Sequence, residues 1–228
     1  MVAFAGADPI GVLIGAKRAS GTLVHKIAVH PDHRRQGHGR HLLTSLSSKL
    51  AILGPPRIVA EVPETLAPAC ELFSACGYVE EARLTDYALN REANDVGGAA
   101  GMFVIPVTID DLAANDLLGE GPHVCWERSV EAMTARKDNI SGLAVASDER
   151  IEAYLLYMQG EADAEIVSLR SFVHDGGARL KQLISRLGIG TLRFPKVHPA
   201  EISKELLETL GFRPASGYFL YAAKARSE

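Results

Sequence analysis

The hydrophobic pattern of the first 90 residues alternates between strand-like runs and helical spacing. Short apolar runs between turn residues predict strands at 11–15, 23–29 and 58–62. Leucines at helical spacing predict a helix that ends at Gly54-Pro55-Pro56: Leu42, Leu43, Leu46 and Leu50. A second helix is predicted at 66–73, capped by Gly77, and a closing hairpin at 78–90. Strand, helix, strand, helix and hairpin together predict an α/β fold.

The second half of the chain has a similar pattern. It predicts a strand at 103–108, helices at 110–118 and 125–136, and strands at 142–146, 151–157 and 166–172. The segment from Glu71 to Gly77-Tyr78 is mirrored by the segment from Glu205 to Gly211-Phe212, and each follows a strand that ends near a proline. Two copies of one fold are therefore predicted, at 1–92 and 102–228, joined by a Gly- and Ala-rich linker at 93–101.

Composition limits the possible functions. The chain has 228 residues, 47% hydrophobic residues and a formal net charge of −4. Enough apolar surface is available for folded cores, and the acidic balance argues against a nucleic-acid partner. Cys70, Cys76 and Cys125 are an odd number without a C-x-x-C pair, which favours a reducing cytoplasm. The apolar start lacks a leading positive charge and no run is long enough to span a bilayer, so we expect no leader and no membrane partner.

The most informative segment is the strand at 23–29 with the loop that follows it. Arg34-Arg35-Gln36-Gly37-His38-Gly39 precedes a helix that is predicted to begin near Arg40. Glycines let the backbone turn tightly and approach a ligand, and the N–H groups at a helix start attract anions. The segment therefore predicts a phosphate-binding loop that needs no metal.

Arg34-x-x-Gly37-x-Gly39 after Ile-Ala-Val-His-Pro closely resembles motif A of the GCN5-related N-acetyltransferases (GNAT superfamily). The resemblance implies an α/β fold (α+β by some schemes) with a mixed central sheet flanked by helices, and acetyl-CoA as co-substrate. It implies that the strand residues Ile27, Ala28 and Val29 bind the pantetheine arm. It also implies that the loop surrounds the pyrophosphate with Arg34, Arg35, Gln36, Gly37, His38, Gly39 and Arg40.

The resemblance further implies direct attack by a primary amine on the thioester, but the catalytic groups are less clear. The family's proton-donating tyrosine corresponds to Phe73, which has no proton to donate. Tyr78 is the nearest phenol in sequence. His25 lies two residues before Ile27, so strand alternation places it on the same face. His25 and Glu61, on the next strand, are the candidate bases, since an imidazole is a suitable proton acceptor near neutral pH.

Other features leave alternatives open. Five histidines cluster between His25 and His41, but no carboxylate or cysteine is interleaved with them at ligand spacing, so we expect no specific metal site. The loop at 172–180 keeps glycines but lacks the arginine motif, which indicates a degenerate second domain that does not bind coenzyme A. The first domain lacks the strand and helices that usually open this fold. A small-molecule or protein amine is the expected acceptor and a homodimer is expected, while a non-catalytic acyl-CoA-binding protein remains the alternative.

Overall fold

The computed structural model describes residues 1–90, 103–118 and 124–226. Contacts divide the chain into two compact units. Unit 1 combines Met1–Arg83 with Gly217–Glu228, and unit 2 is Leu84–Ser216. The strands are β1 (Val2–Ala5), β2 (Asp8–Arg18), β3 (Gly21–Val29), β4 (Arg57–Pro63), β5 (Val79–Asn90), β6 (Phe103–Pro106), β7 (Ser141–Ala146), β8 (Ile151–Gln159), β9 (Asp163–Ser171), β10 (Thr191–Val197) and β11 (Arg213–Lys224). The helices are α1 (His38–Leu53), α2 (Ala67–Ala75), α3 (Ile109–Ala114), α4 (Val130–Thr134), α5 (Ala178–Leu187) and α6 (Lys204–Thr209).

Unit 1 is a mixed sheet with α1 and α2 packed on it. The strand order is β1-β2-β3-β4-β11, and only β3 and β4 run parallel. The four leucines predicted to form the inner face of α1 are buried. They pack against Ile58, Ala60 and Val62, which alternate along β4, and against Phe73 of α2. The hydrophobic pattern therefore correctly predicted this core.

Unit 2 repeats the plan with the strand order β5-β10-β9-β8-β7-β6. Its strands β9 and β10 are parallel, and α5 and α6 pack on the sheet through Leu183 and Leu207, which are fully buried. Both units are thus mixed α/β sheets flanked by helices. No helix among the described residues combines the length and the apolar character needed to cross a membrane.

The predicted hairpin at 78–90 is wrong, because β5 runs unbroken over this segment. No glycine or proline interrupts residues 79–90, so nothing there makes a turn. The antiparallel partner of β5 in unit 2 is β10. In unit 1, β4 pairs instead with β11, from Tyr218 opposite Pro63 to Lys224 opposite Arg57.

The compact units consequently differ from the predicted division. The boundary between the units lies after Arg83 rather than after residue 92, and the last strand of the chain belongs to unit 1 from Gly217 onward. The predicted linker at 93–101 lies outside the described residues. The helix predicted at 125–136 is also broken, because Ser129 ends a short 3-10 turn and its side chain caps α4 by accepting from the Ala132 N–H.

The repeated corner motif has the same geometry in both units. Gly77 follows α2 with a φ of 80°, and Gly211 follows α6 with a φ of 94°, both in the left-handed region that favours glycine. The next residue, Tyr78 or Phe212, is buried, and its N–H donates to the carbonyl of Phe73 or Leu207, five residues earlier. The sequence repeat therefore marks one structural unit that occurs twice.

Candidate functional site

The strands β3 and β4 of unit 1 separate soon after they meet. They pair only at Thr22 with Ile58 and at Leu23 with Val59. Beyond these pairs, β3 continues to Val29 against β2 alone. The β4-facing edge of Ile27, Ala28 and Val29 is therefore outside the sheet ladder. Such an edge offers main-chain donors and acceptors to an extended, amide-bearing ligand.

A β-bulge lies where the two strands diverge. Ile14 pairs with Lys26 and Gly15 pairs with Val24, so His25 is the extra residue of β3. The bulge breaks the alternation from which His25 was placed on the face of Ile27. Indeed His25 is exposed, whereas Ile27 is half-buried against the core of unit 1. The face assigned to His25 from its spacing is therefore wrong.

The loop after β3 is held in a defined conformation by its own side chains. The Arg34 Nε donates to the Val29 carbonyl at 3.1 Å, and the Gln36 amide donates to the Asp32 carbonyl at 3.0 Å. Arg35 has a φ of 59° and Gly37 a φ of 87°. Left-handed residues in a tight turn are typical of loops whose backbone N–H groups bind anions.

Helix α1 begins at this point without a side-chain cap. Gly37 is its N-cap residue and makes no side-chain hydrogen bond, so the first N–H groups of the helix have no capping acceptor. A Cβ at Gly39 would lie 3.0 Å from the Leu72 side chain. Because glycine has no Cβ, α1 and α2 can pack closely here. The uncapped helix start and its dipole favour an anion.

Strand edge, loop and helix start surround a cavity of about 570 Å³. Gln36 is not among the lining residues. The other nine of the ten residues predicted to bind the coenzyme line the cavity: Ile27, Ala28, Val29, Arg34, Arg35, Gly37, His38, Gly39 and Arg40. Sequence reasoning missed the opposite wall, which consists of His33 and one face of α2: Pro68, Ala69, Glu71, Leu72 and Ala75. The i, i+3 spacing of Ala69, Leu72 and Ala75 could have indicated this face.

The cavity carries both an elongated apolar wall and a basic end. Arg34, Arg35 and Arg40 supply positive charge at the loop, and Arg35 also contacts Glu71 at 3.2 Å in an exposed ion pair. An anion competing for Arg35 would displace only this exposed pair, which contributes little. The residues present therefore fit a phosphate-bearing ligand with an extended amide arm.

The three candidate catalytic residues do not line this cavity. His25 is exposed at the bulge, and Glu61 is half-buried on β4, on the sheet face opposite Ala60 and Val62. Tyr78 is buried in the core, where its ring packs edge-on against Phe73 with 5.1 Å between centroids. Their catalytic roles stay predictions.

A different phenol lies beside Phe73. Tyr221 of β11 stacks on the Phe73 ring with 5.9 Å between centroids and 15° between planes. Burial raises the pKa of Tyr221, which also interacts with Ser74 and Cys70 of α2. The last strand of the chain thus brings a protonated phenol next to the position where the family usually has a tyrosine.

The equivalent loop of unit 2 holds its own anion. Gly177 starts α5 with a φ of 86°, as Gly37 starts α1. Here, however, the Asp175 carboxylate accepts from the N–H groups of Gly177 and Arg179 at 3.0 and 2.9 Å. The Arg179 guanidinium also donates to Asp175 at 2.9 Å. Asp175 therefore occupies the helix start that is open in unit 1.

The gap between the parallel strands of unit 2 is filled by Arg128. Strands β9 and β10 pair from Thr191 opposite Asp163 as far as Arg193 opposite Glu165. Val167 and Pro195 lie two residues beyond the last pair. Arg128 donates to both of their carbonyls, at 3.4 and 3.1 Å, and to that of Lys196 at 3.2 Å. Its side chain is 1% exposed and is also bound by Glu201 at 2.7 Å. The main-chain groups left open in unit 1 are satisfied internally in unit 2.

Asp175 should give unit 2 a measurable acid sensitivity. Burial pushes the pKa of Asp175 up, but hydrogen bonds from Arg179 and Gly177 outweigh it and hold this pKa below its usual value. A carboxyl group whose pKa is lower in the folded state stabilises the folded protein at pH values above its unfolded-state pKa of about 3.9. This stabilisation is lost as the pH falls through the folded-state pKa. We expect Asp175→Asn to be less stable than the parent in urea unfolding near neutral pH.

The stability difference should shrink as the pH falls below about 4. The control is Asp163→Asn, which removes an exposed ion pair with Arg193. It should show a smaller stability difference from the parent near neutral pH. A difference for Asp175→Asn that is independent of pH would contradict this assignment.

Comparisons with known proteins agree with this geometry. Residues 1–80 match a family model described as an acetyltransferase (GNAT) domain. No curated protein matches the sequence significantly.

Several solved structures share the fold of the whole chain. A tandem GNAT protein from the clavulanic acid biosynthesis pathway is 17% identical, with a TM-score of 0.65, 100% of this chain and 82% of that chain covered. A GCN5-related N-acetyltransferase from Sphaerobacter thermophilus is 15% identical, with a TM-score of 0.64 and coverages of 97% and 78%. A GCN5-related glucosamine N-acetyltransferase region of a fungal multi-domain β-N-acetylglucosaminidase is 11% identical, with a TM-score of 0.70 and coverages of 96% and 32%.

The fold and the loop together define a class of protein. The first 80 residues match a GNAT acetyltransferase domain, and the whole chain shares the fold of GNAT proteins. More particularly, its two similar units share the fold of a tandem GNAT protein over the whole chain.

Proposed function

We propose that the protein is an N-acetyltransferase that binds acetyl-CoA in unit 1 and transfers the acetyl group to a primary amine. The observation that carries this proposal is the joint presence of an open strand edge, an uncapped helix start and a basic loop around one cavity. Acyl transfer is the general activity of the family, and acetyl-CoA is its usual co-substrate. The amine acceptor and the attack mechanism are our inference.

The pyrophosphate would lie at the start of α1, held by backbone N–H groups and by the arginines of the loop. The pantetheine arm would pair with the free edge of Ile27, Ala28 and Val29, as an added strand does. This arrangement fixes the thioester before the acceptor arrives, so the reaction gains from positioning. A backbone N–H at the strand edge would stabilise negative charge on the thioester oxygen.

In the proposed reaction, the nitrogen of a neutral amine attacks the thioester carbon. A C–N bond forms, the C–S bond breaks, and the sulfur leaves with the electron pair. The amine loses one proton to a base, and the thiolate takes up one proton. Phe73 cannot supply that proton, so we propose Tyr221, whose ring stacks on Phe73, as the donor. Like Tyr78, Tyr221 is buried in the core of unit 1 and is not among the residues that line the cavity, so the proton would have to reach the thiolate from behind the cavity wall.

Unit 2 is proposed to have a structural role and not to bind the coenzyme. Asp175 supplies negative charge at the start of α5, where the phosphate of a bound coenzyme would lie. Arg128 supplies hydrogen-bond donors to the strand carbonyls that the amide arm of a coenzyme would contact. A ligand would have to displace a buried ion pair and several hydrogen bonds. The alternative function for the whole chain is acyl-CoA binding without turnover, which the replacement of tyrosine by Phe73 favours.

Turnover separates the two functions. With acetyl-CoA and a panel of primary amines, the release of free CoA thiol should depend on the amine, and Gly37→Glu should abolish it. Tyr221→Phe should lower kcat by at least about tenfold, because a positioned acid contributes on the order of 100-fold or more. Tyr218→Phe, on the opposite face of β11, is the matched control and should retain activity. Coenzyme binding without thiol release for any amine would favour the non-catalytic alternative.

A further inference from the structure

Two histidines lie side by side at the basic end of the coenzyme cavity in unit 1. His33 ends the 3-10 turn Pro31–His33 that follows β3, and His38 is the first residue of α1. Both line the cavity and both are half-buried. Their ring centroids are 6.1 Å apart, with 65° between the ring planes. The loop that separates them in sequence carries the uncapped helix start, so the two imidazoles stand where an anion is expected.

The fold does not use the nitrogens of this histidine pair. Among the described residues, His33 and His38 make ring contacts with histidines but no side-chain hydrogen bond or ion pair. The neighbouring His30 differs, because its Nδ1 accepts from the Asp32 N–H at 3.4 Å and lies 3.7 Å from the Asp32 carboxylate. His30 thus caps the 3-10 turn, whereas the ring nitrogens of the pair remain available to a ligand.

The charged groups around the pair already have other partners. Arg34 donates to the Val29 carbonyl, Arg35 pairs with Glu71, and Asp32 lies beside His30. The charged and titratable side chains nearby come from the turn, the loop, α1 and α2: His30, Asp32, Arg34, Arg35, Arg40, His41 and Glu71. Neither carboxylate among them forms an ion pair with His33 or His38 in the described part of the chain. An anionic ligand would supply the counter-charge that a protonated pair lacks.

We propose that His33 and His38 bind the pyrophosphate of the coenzyme and take up protons when it binds. This inference rests on the proposed binding of acetyl-CoA in unit 1. Imidazoles change their charge between about pH 5 and 8, and a nearby negative charge favours their protonated form. Because linkage is reciprocal, a ligand that draws protons to the protein binds more tightly at lower pH. The pair therefore makes the affinity for acetyl-CoA depend on pH.

The test is calorimetric titration of the intact chain with acetyl-CoA at pH 7, in two buffers of different ionisation enthalpy. We expect an uptake of about half a proton per imidazole, as the effect of a nearby opposite charge on an imidazole implies. His33→Gln and His38→Gln should each lower this uptake, and the double variant should remove most of it. His41→Gln is the matched control, because His41 is exposed on α1 and does not line the cavity. It should leave the uptake unchanged.

Affinities at two pH values give a second readout. Glutamine can donate a hydrogen bond but does not titrate, so the double variant should lose more affinity at pH 6.5 than at pH 8, by about fourfold. The 3′-phosphate of the coenzyme itself titrates near pH 6, as phosphate monoesters do. Its contribution is common to all variants and cancels when they are compared. Acetyl-3′-dephospho-CoA, which keeps the pyrophosphate, should show the same difference in uptake between the parent and the double variant.

Three results would overturn the proposal while leaving acetyl-CoA binding intact. They are equal proton uptake by the parent and the double variant, an equal loss of uptake in His41→Gln, and no such difference with acetyl-3′-dephospho-CoA. No binding of acetyl-CoA by the folded parent would instead contradict the proposed function, and this inference with it.

Discussion

Replacing Gly37 with glutamate should weaken acetyl-CoA binding by at least about 100-fold. The residue has a φ of 87° and lies at the uncapped start of α1. A left-handed backbone costs a non-glycine residue about 1 kcal/mol or more, and the new carboxylate would occupy the anion site and repel the pyrophosphate. Isothermal titration calorimetry with acetyl-CoA measures the effect.

The matched control for Gly37→Glu is Gly6→Glu. Gly6 lies in the same unit, also has a positive φ, 61°, and also has open space where a Cβ would be. Its substitution imposes a similar backbone cost away from the cavity, so affinity should remain close to that of the parent. Equal losses of affinity in the two variants would mean that strain in unit 1, and not the anion site, causes the effect.

Replacing Arg128 with methionine should destabilise unit 2 by about 3–5 kcal/mol, the usual cost of removing one partner of a buried ion pair. The variant leaves Glu201, which is 13% exposed, without its guanidinium partner. It also leaves the carbonyls of Val167, Pro195 and Lys196 without this donor. Methionine retains the apolar length of the side chain, including contact with the Phe194 ring, so the loss comes mainly from the polar head.

Urea unfolding of the intact chain measures this loss, with Arg193→Met as the matched control. Arg193 makes an exposed ion pair with Asp163, and removal of such a pair costs about 1 kcal/mol or less. The double variant with Glu201→Leu should recover part of the stability of Arg128→Met, because no charge then remains unpaired. Similar costs for Arg128→Met and Arg193→Met would contradict the role assigned to Arg128.

Local patterns predicted the parts of the fold that depend on neighbouring residues. The inner face of α1 follows from leucines at helical spacing, and the corner at Gly77 from a glycine after a helix. The shape of the loop at 34–39 was also predictable, because its glycines, its arginines and the following helix are contiguous in sequence. Apart from Gln36, the residues assigned to it line one cavity.

Pairing over long sequence distances was not predictable in the same way. Nothing near Tyr218 or Lys224 indicates that β11 completes the sheet of unit 1, more than 150 residues after β4. The bulge at His25 has no glycine or proline to mark it, so alternation placed the side chain on the wrong face. Arg128 is almost completely buried. Arginine is rarely buried in proteins, so the residue type predicted an exposed position.

The contrast between the units gives a physical account of the tandem arrangement. Both have a short parallel pairing followed by a gap between strands, and both start a helix at a left-handed glycine. In unit 1 the gap and the helix start border a cavity, whereas in unit 2 Arg128 and Asp175 satisfy the same kinds of groups. The two copies thus share a fold, and the residues at these positions determine whether the gap and the helix start are open or are filled by the chain's own side chains.

The most direct test of this account is the stoichiometry of acetyl-CoA binding to the intact chain, measured by isothermal titration calorimetry on the parent and on Gly37→Glu. We predict one molecule bound per chain by the parent, and loss of that binding in Gly37→Glu. Two molecules per chain, or one that persists in Gly37→Glu, would place a coenzyme site outside unit 1 and contradict the account. No binding by the folded parent would contradict both the proposed transferase and its non-catalytic alternative.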